Sequence, residues 1–272
     1  MVAACSDPPS PPPVCAVGCD GGVPDGGGPT DGAQPDSGID PPPLGGYEAQ
    51  SYELVGRFDW QQQKLIAKER VTLNKTTGGS FAQLDSAVDV KKVTADDGAS
   101  LPFVVSPNVL HVDVSSFASA NSFSFFVEYE ASTSEALVAS SSRDDDPVKT
   151  RVVYTDSEPN YGMKWLPAIH RPSDRAEFAI ELTVGASDDV VANGERKKNE
   201  IVGGDRVVRY ELVGAIPTYT MAFAAGEIEQ RERTTGRVPI GVWHRRGLVF
   251  QPDEMLDFLS GAIATYEELV GA

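Results

Sequence analysis

From Tyr47 onward the chain is dominated by short runs in which apolar and polar residues alternate. In AEFAIELTV (176–184), Phe178, Ile180, Leu182 and Val184 alternate with Ala179, Glu181 and Thr183. SFSFFVEYE (122–130) puts Phe123, Phe125, Val127 and Tyr129 on one side, and DRVVRYELV (205–213) does the same with Val208, Tyr210 and Leu212. Side chains of a strand point to opposite faces in turn. Period-two alternation therefore predicts strands with one face in a core and one in water, the habit of antiparallel sheets. Further strands are predicted at 50–59, 64–74, 81–94, 109–114, 149–154, 219–225 and 237–244. Thr77-Gly78-Gly79, Asp96-Asp97-Gly98, Asn193-Gly194 and Gly203-Gly204-Asp205 separate the runs as turns. Many short strands without intervening helices predict an all-β fold, an antiparallel β-sandwich.

The end of the chain departs from this period. PDEMLDFLSGAIATYEELVGA opens with Pro252, Asp253 and Glu254, which suit a helix N-terminus. Met255, Leu259, Ile263, Tyr266 and Val270 then recur at helical spacing. One C-terminal amphipathic helix is predicted, and its apolar stripe needs something to cover it.

Residues 1–46 have a different character. They hold six Asp, no Lys, Arg or Glu, 11 of the 20 Pro and 10 of the 26 Gly. Such a segment has little to bury and is expected to be a disordered tether. All three cysteines, Cys5, Cys15 and Cys19, lie in it. Cys15 and Cys19 suit a small disulfide loop or free thiols. A structural zinc site needs four ligands, and the tether has no His. VAAC at 2–5 is similar to the end of a bacterial lipoprotein signal, with Cys5 as the lipid-attachment residue, but lacks the hydrophobic stretch that precedes such a cysteine. Two readings stand: a lipid-anchored protein of the cell envelope, on its periplasmic or surface side, or an ordinary disordered N-terminus. No stretch is long and apolar enough to span a bilayer as a helix. The formal net charge of −17 is unfavourable for phosphate backbones, so nucleic acid is not an expected partner.

Complete catalytic motifs are not seen. His111, His170 and His244 are too widely separated for a paired zinc motif such as H-E-x-x-H. No Gly-x-Ser-x-Gly elbow or phosphate-binding Gly loop occurs. RDDDP at 143–147 lacks the ligand spacing of a calcium loop. His170 with nearby Asp174 or Ser173 leaves open a self-sufficient hydrolase. Otherwise no catalytic residue and no metal ligand is assigned.

One stretch stands apart. YTDSEPNYGMKWLPAIHRPSDRAEF (154–178) packs aromatics, Glu158-Pro159, Trp165-Leu166-Pro167 and Pro172-Ser173-Asp174-Arg175-Ala176 together. Ala192-Asn193-Gly194, Pro217-Thr218-Tyr219 and Phe223-Ala224-Ala225-Gly226 follow it. In this order and spacing the chain resembles the N-terminal β domain of the aminopeptidase N family of zinc metallopeptidases. SYELVGRFDWQQQKLIAKERVTLN (51–74) is similar to the opening strands of that domain, and VDVKKVTADDGASLPFVVSPNVLHVDV (88–114) to its next hairpins. VPIGVWHRRG (238–247) resembles the strand leading out of it, and ATYEELVGA (264–272) the first helix of the catalytic domain. The chain departs from the family at Ala168 and His170, where Cys and Asp are usual, and at Met163-Lys164, where an Arg is common.

The resemblance implies a saddle-like β-sandwich domain at 47–248, behind the tether at 1–46, with 249–272 as the start of a catalytic domain. It implies that Glu158 reaches into the substrate cleft and holds the free α-amino group of a peptide, as a charge-assisted hydrogen bond would do. Trp165, Pro167 and Pro172 are then corner scaffold, and Asp174 with Arg175 is expected to form a local ion pair or cap. Zinc and its H-E-x-x-H site are expected in the full-length family enzyme and not in this chain. The expected partners are peptide N-termini, the chain's own catalytic domain, and a membrane through Cys5. The alternative is a stand-alone, non-catalytic binding or scaffold module of a cell-surface lipoprotein.

Overall fold

The computed structural model describes residues 46–140, 149–158, 160–235, 238–248 and 251–271. Cys5, Cys15, Cys19, the 143–147 acidic run and Pro159 lie outside them. In chain order the strands are β1 (Tyr47–Asp59), β2 (Lys64–Lys75), β3 (Phe81–Asp85), β4 (Asp89–Ala95), β5 (Phe103–Ser106), β6 (Val109–Asp113), β7 (Ser122–Ser132) and β8 (Leu137–Ala139). They continue with β9 (Val152–Thr155), β10 (Arg175–Gly185), β11 (Asp189–Ala192), β12 (Glu195–Val202), β13 (Asp205–Pro217), β14 (Phe223–Gly226), β15 (Ile228–Thr235) and β16 (Val238–Arg245). A single α-helix, α1 (Pro252–Val270), follows.

Seven strands make the largest sheet, in the order β12-β13-β10-β1-β2-β7-β4. Its pairs are antiparallel except β1 with β10, which run parallel with Leu54 opposite Ile180. A four-stranded sheet, β11-β14-β9-β8, and a three-stranded sheet, β3-β6-β5, share its core. Tyr52, Leu54, Leu65, Val71, Phe125, Val127, Phe178 and Ile180 point inward from the large sheet. They meet Leu84, Leu110 and Val112 of the small sheet, and Leu137, Val153, Val190 and Phe223 of the other. The alternating runs thus supply the facing layers of a β-sandwich. The solvent face of the large sheet carries ion pairs instead. Arg70 lies between Glu53 at 3.6 Å and Asp96 at 3.1 Å, and Lys64 meets Glu130 at 3.0 Å. All are partly exposed, so they keep a wide face solvated more than they hold it together.

The stretch expected as one strand at 81–94 is two, in different sheets. Ala82, Leu84, Ser86 and Val88 are all buried, so the alternation runs in phase straight through the break. The chain turns there because Ser86 N–H donates to Asn108 O and Ala87 N–H to Met163 O. Likewise β14 begins at Phe223, later than alternation suggests, because Thr218–Thr220 closes a 3₁₀ turn.

Helix α1 packs on the β15–β16 hairpin, and Arg233 pairs with Asp257 and Asp253 across that contact. Its inward face is Leu256, Leu259 and Ile263, with Leu256 buried. Of the expected stripe, Met255, Tyr266 and Val270 are exposed. Together with Phe258 and Leu269 they form a second apolar face. A helix with apolar residues on two sides cannot declare from spacing alone which side docks. The hairpin itself is tied back by Arg196, whose guanidinium sits 5.4 Å from the Tyr210 ring and 5.3 Å from the Trp243 ring, and by Arg245 donating to Thr150 O at 2.9 Å.

All four predicted turns join strands. Gly194 has φ +96°, and a Cβ there would overlap the carbonyl of Glu211. Gly194→Ala should therefore destabilise the domain by about 2 kcal/mol, seen as a lower urea midpoint at unchanged slope.

Candidate functional site

Residues 156–158 and 160–174 belong to no named strand, and 165–169 among them are buried, where backbone needs hydrogen-bond partners. Side chains from the surrounding sheets supply them. Ser157 is buried beside β9. Its hydroxyl accepts the Trp165 indole N–H at 3.0 Å and donates to Met221 O at 3.2 Å. The Trp165 ring is fully buried, edge-on to Phe178 and Phe223. Tyr129 of β7 donates its hydroxyl to Trp165 O at 3.0 Å. Tyr52 of β1 accepts Ile169 N–H at 2.8 Å, and Thr218 donates to Ile169 O at 3.2 Å. Asp85 of β3 bridges Ala168 through its backbone and takes His170 N–H on its carboxylate at 3.0 Å.

Glu158 stands one residue beyond Ser157, at the exposed crest of this turn. Its N–H donates to the Asp156 carboxylate at 3.3 Å, and Tyr161 N–H returns to Ser157 O at 3.0 Å. The crest is thus pinned from below while its carboxylate faces solvent. Lys164 ion-pairs with Glu135 and lies 5.0 Å over the Tyr161 ring.

His170 and Asp174, the pair left open as a hydrolase, each bond elsewhere. His170 Nε2 engages Leu166 O at 2.9 Å, and burial holds its imidazole below the usual range. Its ring also fills the space beside Gly162, where a Cβ would overlap it. Asp174 accepts Ala49 N–H at 3.3 Å, and no ion pair with Arg175 forms. Burial, aided by nearby Glu48, pushes the Asp174 carboxyl up to about 6. Both residues serve the corner. His111 bonds Ser106 at 3.0 Å inside the three-stranded sheet, and His244 contacts Arg245 O at the end of β16. Among the described residues no group of three or more His, Cys, Asp or Glu could hold a metal ion, so they do not fit a zinc site. No described helix is long and apolar enough to cross a membrane.

Ser157, Tyr52, Tyr129 and Asp85 were not singled out from sequence. Tyr52 and Tyr129 did carry a signal: each is a hydroxyl-bearing residue in phase with an inward stripe, and a buried tyrosine hydroxyl usually finds a partner.

A model of the peptidase M1 N-terminal domain matches residues 48–220. The chain belongs to this family. The M1 N-terminal domain is 22% identical over 221 residues to probable aminopeptidase 2 of Sulfurisphaera tokodaii, covering 81% of this chain and 27% of that protein. It is 25% identical over 117 residues to mitochondrial aminopeptidase 2 of Saccharomyces cerevisiae, covering 43% of this chain and 12% of that one. Among solved structures it is similar to an M1 zinc metallopeptidase from Deinococcus radiodurans bound to a Tyr-Ser-Ala substrate, with TM-score 0.64, 18% identity, and 83% and 54% of the two chains covered. A two-domain M1 zinc metallopeptidase bound to L-tryptophan gives TM-score 0.62 at 19% identity, covering 79% and 52%. At such identity the likeness is one of fold. The M1 N-terminal domain thus spans about half the length of these solved chains and 27% or less of the curated relatives.

Two measurements test this account of the corner. Ser157→Ala leaves the Trp165 indole N–H without its partner and should cost about 1–3 kcal/mol in urea unfolding. Asp174→Asn keeps an acceptor for Ala49 N–H but cannot titrate. Because the folded-state pKa is raised, the contribution of the Asp174 proton to stability is complete below the unfolded value of 3.8 and is lost as pH rises to about 6. The stability of wild type relative to Asp174→Asn should fall between pH 4 and 6 and be level above pH 7.

Proposed function

We propose that this chain is the N-terminal, non-catalytic part of a zinc aminopeptidase, and that Glu158 binds the free α-amino group of the peptide substrate. The supporting observation is the position of Glu158 within a family-matched domain: an exposed carboxylate on a turn whose neighbour, Ser157, is locked into the core. An exopeptidase must tell a terminal ammonium from an internal amide N–H. A carboxylate held by a rigid turn does so through charge, and fixes how far the chain end lies from the reacting carbonyl. Within this reading, the second apolar face of α1 is where a catalytic domain would pack. Attachment to a cell envelope through Cys5 belongs to the same proposal and rests on the VAAC stretch alone. The same α1 face also suits a stand-alone binding module, with a partner protein in place of that domain.

The source locus and one variant test the reading. Sequence beyond the Ala272 codon should encode Gly-x-Met-Glu-Asn and H-E-x-x-H, in frame or after a single-base correction. In that longer protein, Glu158→Ala should lose about 10–100-fold in kcat/KM toward substrates with a free α-amine, the equivalent of a charge-assisted hydrogen bond. The loss should appear mainly in KM, with Glu158→Gln intermediate. Unchanged kinetics would remove the anchoring role. A stop after Ala272 with no such motifs would leave the binding module.

A further inference from the structure

Glu69 is the most unusual residue of the core. It lies on the inward face of β2, in phase with Leu65, Ala67, Val71 and Leu73, and is fully buried. Neither carboxyl oxygen has a hydrogen-bond partner among the described residues. Directly opposite it stand Leu54 of β1 and Val127 of β7, both buried and apolar. Its diagonal neighbours are different. Tyr52 is paired with Val71, two residues along β2 on one side, and Tyr129 with Ala67, two residues along on the other. Diagonal pairs on one face lie within reach of long side chains.

These are the same two tyrosines that hold the 165–169 corner, and their remaining bonding capacity is complementary. The Tyr52 hydroxyl accepts Ile169 N–H, so its own proton is free to donate. The Tyr129 hydroxyl gives its proton to Trp165 O, so it is left as an acceptor. Neither hydroxyl bonds the Glu69 carboxyl, and a neutral carboxylic acid, with one acceptor and one donor, is the form that complements this pair without bringing in a charge. A carboxylate offers only acceptors, and would bring a charge into an apolar layer.

Among the described residues no cation offsets that charge. From β1 the facing titratable group is Tyr52, and from β7 it is Tyr129. Opposite the sheet, the corner presents Trp165 and Ile169, while Asp85 and Asp174 add negative field at Tyr52. Burial alone drives the Glu69 carboxyl well above its ordinary value, and pushes the Tyr52 and Tyr129 hydroxyls up as well.

We propose that Glu69 is a proton-carrying positioning residue, held as a neutral acid between Tyr52 and Tyr129, and that loss of its proton loosens the Trp165–Ile169 corner. The device belongs to the corner and does not depend on what Glu158 binds. A group with a raised folded-state pKa stabilises fully below its unfolded value, here 4.5, and the contribution is lost as pH rises toward the folded value. The corner is therefore tightest in acid and is released as pH rises.

The experiment compares the full chain with Glu69→Gln, which keeps one donor and one acceptor and cannot ionise. Urea unfolding from pH 5 upward should show the folding constant of wild type falling, relative to Glu69→Gln, by about tenfold per pH unit until the folded carboxyl ionises. Over the same range the Ile169 amide of wild type should lose hydrogen-exchange protection, corrected for intrinsic rate. The Ile169 amide of Glu69→Gln, and that of Ile240 in the distant hairpin, should not. Parallel pH profiles for the two proteins would overturn the proposal. Diverging urea profiles with Ile169 tracking Ile240 would overturn its positioning part. If Glu69→Gln fails to fold, wild-type exchange decides alone: selective loss at Ile169 upholds the proposal and a level profile overturns it.

Discussion

Trp165 carries a polar N–H into the middle of an apolar core, and that bond organises everything around it. The indole donates to Ser157 Oγ, so Ser157 must be buried and its turn must come within 3.0 Å. Ser157 then donates onward to Met221 O, which joins the turn to the segment leading into β14. The Trp165 carbonyl needs its own donor and receives it from Tyr129 on the large sheet. Along this corner one buried polar group recruits the next, because an unpaired one in this environment costs about 1–3 kcal/mol. The core is therefore not a simple layer of aliphatic side chains. It is aliphatic around a chain of hydroxyls, Tyr52, Tyr129, Thr155, Ser157 and Thr218, that exists to satisfy an irregular backbone.

Ala168 and His170 are both held in the corner through their backbones. Ala168 bridges Asp85, and the His170 N–H bonds the Asp85 carboxylate. The His170 ring then fills the space beside Gly162 and engages Leu166 O. Asp85, Tyr52 and Tyr129 come from three different strands, so the corner's geometry is a property of the assembled sheets and not of its own sequence.

That division also sets what could be read in advance. Strand faces were legible because burial of one side of a sheet imposes period two, and Phe123, Phe125, Val127 and Tyr129 are all buried as their spacing requires. Glycine turns were legible because positive φ excludes most other residues. The break at Ser86 was not, since a buried serine kept the alternation intact across it. The docking face of α1 was not, since Leu256 and Phe258 are equally apolar and only the β15–β16 hairpin distinguishes them. The partners of Trp165 and Ile169 were least legible. Tyr129 lies 36 residues from Trp165, and Tyr52 lies 117 from Ile169. No local pattern relates residues so far apart.

Two of the chain's glutamates, Glu158 and Glu69, differ in what surrounds the carboxyl. Glu158 is exposed on its turn, next to the buried Ser157. Glu69 is fully buried, with no partner for either carboxyl oxygen among the described residues. Tyr129 bonds Trp165, whose indole bonds Ser157, while Tyr52 separately bonds Ile169. Trp165 is fully buried against Phe178 and Phe223, so its ring is close-packed at the centre of the corner. The proposed loss of the Glu69 proton would reach Trp165 through Tyr129 and Ile169 through Tyr52, by two separate bonds.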